Sequence, residues 1–167
     1  MTFANAYPIH PKDALIELTL LNAEHSDESF DDLLIDSLKR NIPPEIATRL
    51  LELWSQTKVV AGEVVAVGKI IVRKIIDFLL NNPKMTIGIA IGAALSVLVA
   101  GIPFIGPLLA PLVAALSILY GAGVGSMIEN GDFSGSIDTA IIEVAKKFFE
   151  LLVNIINGVK EYWNSKS

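Results

Sequence analysis

The chain has 167 residues, of which 52% are hydrophobic and none is cysteine, and it carries a net charge of −5. This length suits a single domain, and the apolar fraction is high for a soluble protein of this size. The missing thiols exclude disulfides, thiolate nucleophiles and sulfur-ligated metals, and the 13 basic residues are not interleaved with aromatic ones, so we expect no nucleic-acid partner.

Residues 1–42 form an acidic N-terminal arm, with eight acidic residues and one lysine in the first 36 positions. Pro11 and Asp13 predict the start of a short helix over residues 14–18, and Ser26 or Asp27 that of a second over 30–38. The first residues have neither a basic nor an apolar signal segment, so we expect the chain to start in the cytosol.

Residues 43–82 are predicted to form one long amphipathic helix that begins at Pro43-Pro44-Glu45, where proline is tolerated in the first turn. Its apolar residues follow alternating steps of four and three, as on one coiled-coil seam that can bind a partner helix. The seam consists of Ile46, Leu50, Leu53, Thr57, Val60, Val64, Val67 and Ile71. The dense Val and Ile content of residues 58–72, together with Gly62 and Gly68, keeps a strand as the alternative.

Residues 83–129 contain 44 consecutive positions, 85–128, without any charged side chain. Pro103, Phe104, Gly106 and Pro107 mark a turn that divides this segment into limbs of about 26 Å (84–101) and about 31 Å (108–128), against a bilayer core of about 30 Å. An apolar helical hairpin that crosses or enters a membrane is therefore predicted.

Small residues recur every four positions in both limbs: Gly88, Gly92, Ser96 and Ala100 in the first, and Ser117, Gly121 and Gly125 in the second. In lipid, such ridges allow helix backbones to approach closely. They predict packing of the two limbs or of several copies, and the alternative is that they only dilute the hydrophobicity of a buried hairpin.

Four basic residues, Lys69, Arg73, Lys74 and Lys84, precede the hairpin. Attraction to anionic lipid headgroups contributes about 1 kcal/mol of binding free energy for each basic residue. Cytoplasmic loops of membrane proteins also carry an excess of Lys and Arg. We expect these residues to contact lipid headgroups or to hold both hairpin ends on the cytoplasmic side.

Residues 130–167 predict a closing amphipathic helix that begins near Ser136. Its predicted apolar stripe is Ile137, Ile141, Val144, Phe148, Leu151, Ile155 and Val159. Tyr162 and Trp163 at its end are equally typical of a membrane-interface anchor and of ordinary packing.

The sequence offers no catalytic constellation, because its two histidines, His10 and His25, share no recognisable spacing with a nucleophile or a carboxylate pair. We therefore expect no enzymatic activity, no cofactor and no bound metal.

The order of these segments, amphipathic helices around a nearly uncharged hairpin, resembles the layout of colicin pore-forming domains over about residues 43–163. The resemblance implies an all-α fold with a central hydrophobic hairpin, and insertion into a bilayer as its activity. The chain is shorter than those domains, so we expect either that several copies share the covering of the hairpin or that the hairpin stays in a membrane.

The sequence thus favours a small α-helical protein that oligomerises into a pore or ion channel in a plasma or inner membrane, as a toxin or an antiviral defence effector. Its polar helices are expected on the cytoplasmic side, with a soluble form before insertion as an option. One alternative is a non-conducting membrane anchor or scaffold that binds partners through helix 43–80, and another is a soluble bundle with the hairpin as its core.

Overall fold

The computed structural model describes residues 9–25, 27–30, 42–120 and 139–163. This part of the chain is mostly helical, which confirms the all-α class. Its elements are α1 (Pro11–His25), α2 (Pro44–Trp54), β1 (Lys58–Val60), β2 (Glu63–Val65), α3 (Val67–Asn81), α4 (Ile87–Gly101), α5 (Gly106–Tyr120) and α6 (Thr139–Gly158). Short 3-10 turns cover Pro103–Ile105 and Lys160–Tyr162.

Helix α1 begins at Pro11, as predicted, and continues to His25, well beyond the expected end. It packs mainly against α6, with Ala14 and Leu18 buried. A Cβ added at Gly158 would lie only 2.4 Å from the Cβ of Ala14, so the glycine permits the close crossing of the two helices. Of the second predicted helix, only Phe30 is within the described residues.

The prediction of one continuous helix over residues 43–82 is wrong. Helix α2 ends at Trp54, and an antiparallel hairpin of β1 and β2 follows, with Val60 opposite Glu63. Its two-residue turn has positive φ at both positions, 52° at Ala61 and 82° at Gly62, which is the combination that a tight hairpin needs. The strand alternative holds for 58–60 and 63–65, whereas residues 67–72 belong to α3.

The predicted coiled-coil seam breaks at this hairpin. Ile46, Leu50 and Leu53 are buried on α2, but Thr57 lies exposed between the elements and Val64 is 64% exposed on β2. Helix α3 instead packs beside α2, and at their junction the backbone nitrogen of Gly68 donates to the Gln56 carbonyl oxygen at 3.0 Å.

Helix α4 lies at the centre of the fold, where it contacts α3, α5 and α6. Aromatic contacts join α3 to α6. The ring of Phe78 on α3 lies 5.3 Å from that of Phe148 and 5.4 Å from that of Phe149 on α6. Helix α2 packs against both α3 and α5.

The apolar stripe predicted for α6 is offset by one residue over most of its length. Val144 and Leu151 are 43% and 56% exposed, and the buried positions are Ile142, Ala145, Phe149, Leu152, Ile155, Ile156 and Val159. The helix begins in the structure at Thr139, and the predicted start at Ser136 and the stripe residue Ile137 lie outside the described residues.

Candidate membrane-inserting hairpin

The predicted Pro/Gly turn is confirmed between two apolar helices. Thr86 begins α4 by accepting a 3.4 Å hydrogen bond at its side-chain oxygen from the backbone nitrogen of Ile89. The helix ends at Gly101, and after the turn Pro103–Ile105 the chain enters α5 with a change of direction of 118°.

Within the described residues, no single helix has both the length and the apolar character needed to cross a bilayer. The pair Ile87–Gly101 and Pro103–Leu119 meets this test only when both helices are taken together. Helix α4 has 15 residues and is about 22 Å long, shorter than the limb predicted from the sequence. Positions 121–128 of the second predicted limb are outside the described residues.

The first limb of the hairpin is enclosed by its own chain. Ten of the 15 residues of α4 are buried, and the helix contains no charged residue. The expectation that several copies or a membrane must cover the hairpin is therefore wrong for α4, because one copy of α3, α5 and α6 suffices. The sequence did not predict this enclosure, because it suggested a limb of about 26 Å, whereas α4 is only about four turns long and needs less cover.

The second limb is covered on one side only. Leu109, Leu112 and Leu116 of α5 are buried, whereas Ala110 and Ala114 are exposed and Ile118 is 82% exposed. Helix α5 thus presents apolar side chains outward without any charge, and it is the less enclosed limb of the hairpin.

The start of α5 has two further features. A groove of about 380 Å³ lies between α2 and α5, lined by residues that include Arg49, Glu52, Pro107 and Pro111. Pro111 is inside the helix and cannot donate the backbone hydrogen bond that a helical residue normally makes to position 107.

The small residues of the first limb are mostly inside the fold. Gly88, Gly92 and Ser96 are buried, and the hydroxyl of Ser96 donates to the Gly92 carbonyl oxygen at 2.8 Å, whereas Ala100 is exposed. Ser117 is half-buried on α5 and donates to the Val113 carbonyl oxygen at 3.2 Å. Gly121 and Gly125 lie outside the described residues.

The prolines of the hairpin tip face outward, whereas Ile102 and Ile105 are fully buried and Phe104 makes an aromatic contact. Pro103 and Pro107 are exposed, and a side chain added at Gly106 would meet no atom within 4 Å. Phe104 is half-buried, with its ring centroid 5.1 Å from that of Trp163 in a perpendicular arrangement. Trp163 therefore packs in this fold, and its role as an interface anchor stays a prediction.

Two of the four basic residues assigned to lipid headgroups have partners within the fold. The Lys69 ammonium donates to the Glu28 carbonyl oxygen at 3.2 Å and lies 5.6 Å from the centre of the Trp54 ring, and Arg73 pairs with Asp77 at 2.7 Å. Lys74 is half-buried, and Lys84 is exposed just before α4. The lipid role of these residues remains a prediction.

The two histidines lie apart from the hairpin tip, on or beside α1. His10 accepts at Nδ1 from the backbone nitrogen of Lys12 at 3.2 Å. His25 is buried, with Nδ1 2.9 Å from a carboxylate oxygen of Glu28 and Nε2 3.2 Å from one of Glu24. The second distance suits an ion pair, but its geometry is not that of a hydrogen bond. Among the described residues, no three His, Asp or Glu side chains are placed to hold a metal ion.

Two contacts that hold the hairpin had no signal in the sequence. The side-chain amide of Asn157 on α6 donates to the Gly101 carbonyl oxygen at 2.7 Å, and a Cβ added at Gly101 would lie 3.0 Å from Cγ1 of Val153. These residues are more than 50 positions apart, and each type is ordinary in a helix. The end of α4 is thus fixed to the last turns of α6.

The chain matches no protein-family model, no curated protein and no solved structure.

Proposed function

We propose that this chain is a membrane-inserting protein that stores an uncharged helical hairpin within its own helices and releases it into a bilayer, where copies assemble into a pore. The observation that carries the proposal is the enclosure of α4, a helix without a charged residue, by the amphipathic helices α3 and α6 and by the second limb α5 of the same chain. Such an arrangement keeps a lipid-soluble element away from water until a membrane is present.

The proposed transfer is compatible with the chemistry of the two limbs. Helix α4 is already in apolar surroundings, and lipid tails are as apolar as the side chains that it would leave. No charge between positions 85 and 128 adds the roughly 2.5–3.5 kcal/mol that a charged side chain costs at mid-membrane. The transfer would also stabilise the exposed apolar face of α5, because that face leaves water.

Assembly would use surfaces that the stored form hides. Once α4 has left α3 and α6, the buried ridge of Gly88, Gly92 and Ser96 becomes available to a second helix. Small residues at this spacing permit close helix packing in lipid. The basic residue Lys84, exposed at the base of the hairpin, would stay with the headgroups.

A pore of this kind would depolarise the membrane that contains it. This effect suits a toxin or an antiviral defence effector at a plasma or inner membrane, with the polar helices on the cytoplasmic side, and that role is an analogy from the colicin-like layout. The expectation of a homo-oligomer rests on the small-residue ridges of the hairpin.

The proposal predicts that the hairpin cannot act while it is fixed to α6. A Cβ at Gly101 would lie 3.8 Å from the Cβ of Val153, a separation typical of disulfides, which is about 3.8 Å. Because the chain contains no cysteine, Gly101→Cys combined with Val153→Cys creates a single defined cross-link. The matched control is the same protein after reduction.

The readout is ion release from vesicles rich in anionic lipid. We expect release by the native chain and by the reduced double variant, and release at least tenfold slower by the oxidised variant. Equal release by the oxidised and reduced forms would show that α4 need not leave α6. Vesicles that stay ion-tight with every form would overturn the pore.

The length of α4 favours one second candidate, a non-conducting membrane anchor. A helix of about 22 Å is short for a bilayer core of about 30 Å, and a short apolar hairpin can enter one leaflet without crossing. Partner binding through a continuous helix 43–80 is not available to it, because β1 and β2 interrupt that segment. Firm insertion of the protein into ion-tight vesicles would favour this candidate.

A further inference from the structure

The chain after α6 folds back to the hairpin tip. Lys160–Tyr162 make a 3-10 turn, and Trp163 follows it. The backbone nitrogen of Tyr162 donates to the Val159 carbonyl oxygen at 2.8 Å, and that of Trp163 donates to the Lys160 carbonyl oxygen at 3.2 Å. This turn places Trp163 against Phe104.

The same segment is also attached to the small sheet. The backbone nitrogen of Ala61 donates to the Tyr162 carbonyl oxygen at 3.3 Å, and Trp163 forms an isolated antiparallel bridge with Val60. Val60 is fully buried, so this point of attachment belongs to the core of the fold.

We propose that residues 160–163 form a latch that ties the hairpin tip to the sheet and restrains release of the hairpin. The proposal rests on the proposed function and adds a regulatory contact to it. The latch holds the tip through one ring contact, Phe104 against Trp163, while backbone hydrogen bonds hold the latch itself. Ile102 and Ile105 of the tip are also fully buried, so removal of the Trp163 ring should loosen the tip rather than release it, and should leave the rest of the fold in place.

The tip is the part of the hairpin where restraint has most effect. It is uncharged, and Pro103 and Pro107 already face outward, so nothing polar on it opposes contact with lipid. An aromatic pair of this geometry is strong enough to change an opening equilibrium by about 2- to 10-fold.

The test follows the tip directly. A cysteine introduced as Pro107→Cys is the single thiol of the chain and carries an environment-sensitive fluorophore, which reports entry into vesicles of mixed anionic and zwitterionic lipid. In this labelled background we compare the native latch with Trp163→Ala and with Trp163→Phe, which retains an aromatic ring. Ile46→Val is the stability control, because Ile46 is fully buried on α2.

We expect Trp163→Ala to accelerate entry of the fluorophore by about 2- to 10-fold, with Trp163→Phe close to the native latch. Equal acceleration by Ile46→Val at a matched loss of stability would overturn the latch, because general loosening would then explain the effect.

A second measurement in water separates the latch from the proposed function. The backbone nitrogen of Ile105 donates to the Ile102 carbonyl oxygen at 3.1 Å within the tip, and its hydrogen exchange reports tip opening without any membrane. Faster exchange at Ile105 in Trp163→Ala, with no entry into vesicles by any form, would support the latch and refute insertion. Unchanged exchange at Ile105 would overturn the latch whatever the vesicles show.

Discussion

The side-chain amide of Asn157 donates a 2.7 Å hydrogen bond to the carbonyl oxygen of Gly101. The last four carbonyls of a helix have no partner within that helix, and this bond satisfies one of them at the end of α4. The core helix is therefore capped by a side chain of α6, at the same residue that packs against Val153. Separation of the hairpin from α6 must break this bond.

Asn157→Leu is expected to lower the free energy of unfolding by about 1 kcal/mol, because it removes the donor to Gly101. Chemical denaturation measures the change as a lower midpoint at an unchanged denaturant slope. Asn154→Leu is the matched control on the same helix, since the Asn154 amide nitrogen is buried and has no hydrogen-bond partner among the described residues. It should keep or raise the stability, and an equal loss in both variants would contradict the capping role.

Gly68→Ala is expected to be severely destabilising, by more than about 3 kcal/mol. A Cβ at this position would lie 1.7 Å from the carbonyl oxygen of Leu53, and backbone cannot move aside as a side chain can. The junction of α2 with α3 would have to open, which thermal unfolding would record as a large fall in the melting temperature.

Gly106→Ala provides the contrasting glycine. A Cβ there meets no atom within 4 Å, and with φ −47° and ψ −49° the residue is helical. The substitution should lower stability by no more than about 1 kcal/mol, because no atom obstructs the Cβ and only the preference of a residue before proline for extended backbone opposes it. A loss of stability at Gly106 as large as that at Gly68 would mean that close packing does not explain the effect of Gly68→Ala.

Sequence reasoning found the hairpin because its signals are local. A charge-free run and a Pro/Gly turn are visible in the residues themselves, and α4, the turn and α5 lie where they predict. The same reasoning failed at residues 57–65, since a spacing of three and four does not distinguish a helix from a short strand pair when four of the nine residues are Val. The turn was hidden too, because Ala61 replaces the Asn or Asp that usually marks such a hairpin.

The register of α6 shows a different limit. The helix contains four apolar doublets, Ile141-Ile142, Phe148-Phe149, Leu151-Leu152 and Ile155-Ile156, so two adjacent stripes fit the sequence almost equally well. Packing decides between them: Phe149 is fully buried, whereas Leu151 is 56% exposed. The contacts of Trp163 with Phe104 and of Asn157 with Gly101 are likewise products of the tertiary fold.

Ala61→Asn is expected to stabilise the protein by about 0.5–1 kcal/mol. Ala61 has a φ of 52°, a region that costs alanine free energy and that asparagine tolerates better. The measured effect should be a rise of about 1–4 °C in melting temperature for a chain of this size. Ala61→Val tests the cause, because a β-branched residue is strained at this φ and should lower the melting temperature.

Ile118→Lys separates the fold from membrane entry. Ile118 is 82% exposed on α5, so a lysine there should change the free energy of unfolding by no more than about 0.5 kcal/mol. It also lies at the centre of the uncharged segment 108–128, where a charge costs about 2.5–3.5 kcal/mol in the bilayer, or about a hundredfold in insertion. Ion release and binding to anionic vesicles should both fall.

Ile16→Lys is the matched control, because Ile16 is 58% exposed on α1, outside the hairpin, and gains the same charge. It should insert as the native chain does, or slightly better through attraction to anionic lipid. If Ile118→Lys released ions as fast as Ile16→Lys, α5 would not enter the bilayer, and insertion of the hairpin as a unit would be refuted.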